Sequence, residues 1–161
     1  ATTIEALDVD LGRRIRVDAQ GVTVANVDWG TEKPMVDAGR VVGTVRLWHV
    51  AAGTGRRALV LGPLAVDDSL RSQGIGGKLM RAALNLAATC GHAAVLLVGD
   101  APYYERFGFF AEGACHLVMP GPFERSRFLA LELVEGWLDG AAGMIVPTGR
   151  MLTSAPVRKA A

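Results

Sequence analysis

The sequence predicts an α/β fold in a single domain of 161 residues, and three stretches carry that prediction. The first is a pair of β-branched and apolar runs, VVGTVRLWHV (41–50) and ALVLGPLAV (58–66), joined by the glycine-containing AAGTGRR. The second is the loop RSQGIGGK (71–78), which opens a helix. The third is AAVLLVG (93–99), a near-continuous apolar run of the kind found in a central strand covered on both faces. Strand, helix and strand within about 40 residues make a βαβ unit.

Taken in order, residues 1–34 show the weakest pattern. VTVANVDW (22–29) reads as extended, GRRIRV is short and charged, and no helix pair is evident, so this region is expected to be atypical or incomplete. AGR (38–40) is a turn before the strand over 41–50. The next run carries Gly62-Pro63 at its middle. Proline removes a ladder donor there, so a local distortion is expected, of the kind that often lies beside a site. Asp67, Asp68 or Ser69 turns the chain. The helix is predicted over 74–89, with Leu79, Met80, Ala83, Leu84 and Ala87 on its buried face and Gly91 just past its end. APYYERFGF (101–109) begins with a proline suited to a first helical turn and closes at Gly108. Phe107 and Phe109 are expected in the core. Residues 114–119 read as a strand, FERSR as one helical turn and FLALELV (128–134) as another strand, with residues 150–161 as a frayed, flexible tail.

Composition narrows the classes of function. Hydrophobic residues make up 50% and charged residues 20%, and 17 Lys and Arg face 16 Asp and Glu. A balance so near neutrality gives no footprint for nucleic acid, although a compact positive spot for one small phosphate ligand is compatible with it. Two cysteines, Cys90 and Cys115, form neither a CxxC pair nor a disulfide framework. No apolar run is long enough to span a membrane. No basic-then-apolar leader opens the chain. A cytoplasmic protein with no membrane or nucleic-acid partner is the expectation.

The glycine loop admits three phosphate-binding readings. A Walker A loop needs GxxxxGK[ST], but position 72 is Ser72 and Leu79 follows Gly77-Lys78. A GxGxxG dinucleotide fingerprint fits Gly74 and Gly76 and then meets Leu79. A diphosphate cradle of the form RxxGxG is satisfied in full by Arg71, Gly74 and Gly76. Glycines let successive amides approach a diphosphate, the helix start favours negative charge, and Arg71 and Lys78 add cations. Against all three stands a loop that merely packs a helix close to a sheet.

Residues 41–109 resemble the GCN5-related N-acetyltransferase superfamily. The run LGPLAVDDSLRSQGIGGKLMRAAL, followed by GHAAVLLVGDAPYYERFGF, is similar to its bacterial branch of predicted N-acetyltransferases. The resemblance implies a mixed, mostly antiparallel central sheet with flanking helices and two parallel strands, here 59–66 and 93–99, that part at mid-length. Acetyl-CoA would lay its pantetheine arm in that opening, against the backbone of Leu64, Ala65 and Val66. The amides of Ser72, Gln73, Gly74, Ile75, Gly76, Gly77 and Lys78, with Arg71, would hold the diphosphate. By the same resemblance the backbone N–H near Val66 is an oxyanion contact. Tyr104, in Tyr-x-x-x-Gly-Phe, is the acid that protonates the departing thiolate, with no acyl-enzyme formed. Asp100 stands where many family members carry asparagine, which leaves its contact to the cosubstrate open. A homodimer is implied only by the resemblance.

A phenol near its usual pKa is chemically suited to that task. Its bland alternative is an aromatic packed under a loop, and Tyr103 beside it reads as packing or substrate-facing. Asp67, Glu105 and Asp100 are candidate bases with solvated-surface alternatives. His49, His92 and His116 share no metal-ligand spacing, and Cys115-His116 would point to opposite faces of a strand, so no metal and no cysteine nucleophile is expected. Arg46 and Trp48 share one strand face, either lining an acceptor cleft or, for Trp48, filling core. The leading expectation is direct transfer of acetyl from acetyl-CoA to a primary amine of a small molecule or protein. The alternative is an acyl-CoA-binding module without transferase activity.

Overall fold

A computed structural model describes residues 5–8, 13–16, 34–37 and 40–148, with side chains from residue 43 onward. The extended reading of 22–29 and the tail at 150–161 lie outside the described residues. Two short strands, β1 (Glu5–Asp8) and β2 (Arg13–Arg16), pair antiparallel as a ribbon of their own. The main sheet begins with β3 (Pro34–Asp37), β4 (Arg40–Ala52) and β5 (Arg56–Val66), all antiparallel neighbours. Helix α1 (Ile75–Thr89) follows, then β6 (Ala94–Val98) and the short helix α2 (Ala101–Tyr104). Later come β7 (Leu117–Val118), β8 (Phe128–Glu132), β9 (Gly143–Met144) and β10 (Val146–Pro147). The sheet order is β10-β4-β5-β6-β8, with β3 also on β4, and β5–β6 is its one parallel pair among the described strands. This is the mixed, mostly antiparallel sheet that the sequence led us to expect.

Alternation along the strands divides the core into two layers. Val45, Leu47, Leu59, Leu61 and Val95 face α1, which buries Ile75, Leu79, Met80, Ala83, Leu86 and Ala87 against them. Ala94, Leu96, Phe128 and Ala130 face the other way, onto Leu117, Leu138 and Ile145. The helix ends as its sequence dictates: Gly91 adopts φ 79°, its N–H bonds Ala88 O at 3.0 Å, and His92 N–H bonds Ala87 O at 2.9 Å. That is a Schellman closure, which satisfies two of the last carbonyls.

Two boundaries differ from the sequence reading. The strand expected over 114–119 is reduced to Leu117–Val118, because Glu112–Ala114 is a 3₁₀ turn. Arg125 explains the difference. Its guanidinium donates to the carbonyls of Ala114 (3.4 Å), Cys115 (3.2 Å) and Leu117 (2.5 Å), in place of the N–H donors a neighbouring strand would otherwise supply. Cys115 and His116 thus lie in a turn, and the opposite-faces argument does not apply to them. The strand expected to reach 134 ends at Glu132, whose carboxylate accepts from the amides of Gly136 (2.9 Å) and Leu138 (2.5 Å) and gathers the next turn. Phe109 is fully buried as expected, whereas Phe107 only packs against the core's edge.

Candidate active site

The site begins at the distortion that Gly62-Pro63 imposes. Across the β4–β5 ladder Leu47 faces Leu61 and Val45 faces Leu64, so Arg46 alone opposes both Gly62 and Pro63. Proline has no N–H to give, and Gly62 carries φ 144°, so the ladder is interrupted there. Trp48 Nε1 donates to the freed Gly62 carbonyl at 2.6 Å. On its other side β5 meets β6 only at Leu59–Val95 and Val60–Leu96. Beyond Val60 the parallel ladder stops, although β5 runs on to Val66 and β6 to Val98. Alternate residues of 62–66 therefore turn backbone N–H and C=O groups into an opening between the strands. Leu64 and Val66 stand on the α1 side, and Ala65 is exposed.

Beside that opening α1 begins. Gly74, with φ 76°, precedes the first helical residue, and Ser72 also takes a left-handed φ of 66°. Lys78 N–H closes the first intrahelical bond onto Gly74 O at 3.0 Å. The amides of Ile75, Gly76 and Gly77 precede it, and no described backbone carbonyl accepts from them. They border a cavity of about 360 Å³ whose floor is the loop from Arg71 through Ser72 to Gly77, closed on the β5 side by Val66. The facing wall is Tyr103, Arg106 and Phe107, and Arg81 of α1 completes it. Arg71, 2.6 Å from Asp68, is largely exposed, so this surface pair holds it loosely. Three arginines and a helix start thus line one open space, an arrangement suited to a polyanionic ligand.

Of the residues singled out in the sequence, Val66, Arg71, Ser72, Gly74, Ile75, Gly76 and Gly77 come together around this cavity. Leu64, Ala65, Gln73, Lys78, Asp100 and Tyr104 lie outside its wall. Tyr104 instead closes the end of β6. Its ring lies so tightly over Gly99 that a Cβ there would fall 2.2 Å from Cε2. It also stands edge-on to Phe109, with centroids 6.1 Å apart. Burial pushes the Tyr104 phenol above the ordinary 10.0; Tyr103 and Asp100 add to the rise and Arg127 opposes it. Asp100 is exposed, and its backbone carbonyl accepts from Tyr103 (2.9 Å) and Tyr104 (3.2 Å).

The candidate bases do not converge on a common point. The Asp67 carboxylate accepts from Ser69 N–H at 2.9 Å and serves its own turn, and Glu105 is exposed. His49 and His92 are brought to 5.2 Å, but no group of three His, Cys, Asp or Glu able to hold a metal occurs among the described residues. Arg46 and Trp48 lie on the sheet face opposite α1, the guanidinium 5.2 Å from the indole, and Trp48 is 38% exposed rather than core. Sequence reasoning passed over Arg81, Arg106 and the cavity-facing role of Tyr103. The available signal was helical spacing: Arg81 lies four residues after Gly77, and Arg106 three after Tyr103.

Residues 20–110 match the acetyltransferase (GNAT) domain family. The chain belongs to the GNAT acetyltransferase family. Its relatives include the uncharacterised N-acetyltransferase YhbS of Escherichia coli, 33% identical over 110 residues, which are 68% of this chain and 66% of that protein. The crystal structure of E. coli YhbS in complex with CoA superposes with a TM-score of 0.63 at 32% identity, over 70% of this chain and 63% of that one. A GNAT acetyltransferase of Brucella melitensis, solved with acetyl-CoA, gives 0.52 at 29% identity over 65% and 59%. The chain thus spans just under two thirds of the length of these relatives. The interrupted β5, the parallel neighbour that parts from it and the glycine loop all lie inside the family match.

Proposed function

We propose that this GNAT chain transfers the acetyl group of acetyl-CoA directly to a primary amine. The observation that carries the reading is the parting of β5 from β6 beside a cation-lined helix start. One opening accepts an extended amide-bearing arm and the adjoining cavity accepts a diphosphate. The fit is chemical as well as spatial. The amides of Ile75, Gly76 and Gly77 have no backbone acceptor among the described residues, and Arg71, Arg81 and Arg106 supply charge. Relatives solved with CoA and with acetyl-CoA support the same assignment.

When bound, acetyl-CoA supplies an activated thioester. The chain's own groups would do the rest. Backbone amides of the parted β5, Val66 N–H among them, would donate to the carbonyl oxygen as negative charge gathers on it, with no reorganisation needed at that moment. Tyr104, kept protonated by burial, would hand its proton to the departing sulfur. Arg46 and Trp48, on the face away from α1, would form part of the acceptor wall.

The test is thiol release from acetyl-CoA across a panel of small-molecule and peptide amines. Amine-dependent release that Tyr104→Phe reduces by about 10²-fold or more is expected, the usual size of a general-acid contribution. CoA binding with no amine-dependent release, unchanged by Tyr104→Phe, would make the chain an acyl-CoA-binding module instead.

A further inference from the structure

We infer that Tyr103, clamped by Arg106, is a cosubstrate-binding residue whose hydroxyl donates to the diphosphate from the cavity wall opposite the glycine loop. The inference rests on reading that cavity as the acyl-CoA site.

The hydroxyl is aimed at the loop. A Cβ on Gly76 would sit 2.9 Å from Tyr103 Oη, so the phenol lies directly over the first turn of α1. Gly76 has no left-handed φ; a side chain there would crowd this hydroxyl. The ring is held on several sides. The Arg106 guanidinium stacks 3.9 Å from its centroid, Tyr104 stands edge-on at 4.9 Å, and Phe107 lies at 5.7 Å. Phe107 is in turn flanked by Arg106 at 5.2 Å and Arg81 at 5.9 Å. A hydroxyl fixed in this way loses little freedom when a ligand arrives.

Chemistry selects the ligand group. The amides of Ile75, Gly76 and Gly77 are donors, and so are the guanidinium groups around them. A phenol joining such a set completes it by donating to an oxygen that already accepts several bonds, which describes a phosphate oxygen. Packing alone would be served as well by phenylalanine, because the stack on Arg106 needs the ring and not the oxygen.

The full sequence holds two tyrosines, Tyr103 and Tyr104. Labelling with 3-fluorotyrosine therefore gives two fluorine resonances, which Tyr103→Phe assigns. Calorimetric titration of the full chain with CoA should show Tyr103→Phe binding roughly tenfold more weakly, the size of one hydrogen bond to a charged acceptor. Melting of the unliganded protein should not change, and CoA should move the Tyr103 resonance. Arg106→Gln, which frees the ring and also removes one of the cavity's cations, should weaken binding several-fold as well. A Kd for Tyr103→Phe within twofold of wild type, or a Tyr103 resonance that saturating CoA leaves in place, overturns the inference while the cavity's assignment stands. Should Tyr103→Phe not fold, Tyr104→Phe assigns the two resonances instead, and the response of the Tyr103 resonance to saturating CoA decides. Wild-type protein that does not bind CoA overturns the assignment itself.

Discussion

Gly99→Ala tests the packing that holds the proposed acid. The new Cβ would lie 2.2, 2.8 and 3.1 Å from Cε2, Cδ2 and Cζ of Tyr104. Carbon atoms settle at about 3.5–4.0 Å, so the ring must retreat by roughly 1.3 Å or more. The backbone cannot absorb this. Gly99 N–H donates to Arg127 O at 2.9 Å, and Gly99 O accepts from Arg127 Nε at 3.4 Å. Behind the ring stands Phe109, fully buried. Overpacking of this kind costs about 1–3 kcal/mol. For a chain of this length that lowers the melting temperature by roughly 2–12 °C. The assay is a double-mutant cycle with Tyr104→Ala, followed by thermal unfolding and urea titration. If the clash is the cause, Gly99→Ala should cost little once the ring is gone, giving a coupling energy of about 1 kcal/mol or more. Equal costs in both backgrounds, or wild-type melting for Gly99→Ala alone, would refute the reasoning.

Four further outcomes are expected. Tyr104→Phe should change the alkaline stability profile. Burial raises the folded phenol above the unfolded value near 10, so the unfolded chain loses its proton first. The stability linked to this group is full below pH 10 and lost as pH rises through the folded value. Melting curves across that window should fall more steeply for wild type than for the variant. Arg71→Ala should weaken CoA binding by roughly tenfold in calorimetry while melting barely moves, because its ion pair with Asp68 is exposed. Asp68→Ala, by releasing Arg71, should leave CoA affinity unchanged or raise it up to about fivefold. Leu79→Ala removes a fully buried side chain of α1, and urea unfolding should show a loss of about 2–5 kcal/mol.

The parts of the fold that were legible are those where one strong local rule acts alone. Helix α1 follows from its apolar spacing and from Gly91, and β6 from its unbroken apolar run. The interrupted β5 follows from a proline that cannot donate. Residues 114–119 read as a strand in the sequence, but Arg125, eight to eleven residues further on, supplies donors in place of a strand partner, and no apolar periodicity announces that. The cavity's cations were half legible. Arg71 belongs to the loop motif and was found. Lys78 stands beside the glycines in sequence, but a helix turns about 100° per residue, and Arg81, which the loop motif does not include, shares the Gly77 face.

The same rotation gives the tyrosine pair its meaning. Two adjacent aromatics on a short helix diverge by about 100°, so Tyr103 and Tyr104 reach different elements. Each lands on a glycine: Tyr103 places its hydroxyl over Gly76 at the helix start, and Tyr104 lays its ring on Gly99 at the strand end. The pair therefore spans the gap between the anion-suited cavity and the parted strands, with the rings edge-on at 4.9 Å. Under the proposed function, a diphosphate seated against Tyr103 bears on the same short helix that carries the acid, so a displacement at the Tyr103 end is felt at Tyr104. Gly76→Ala, which displaces only the Tyr103 end, should consequently lower kcat as well as CoA affinity, whereas a purely local clash at the loop would change affinity alone.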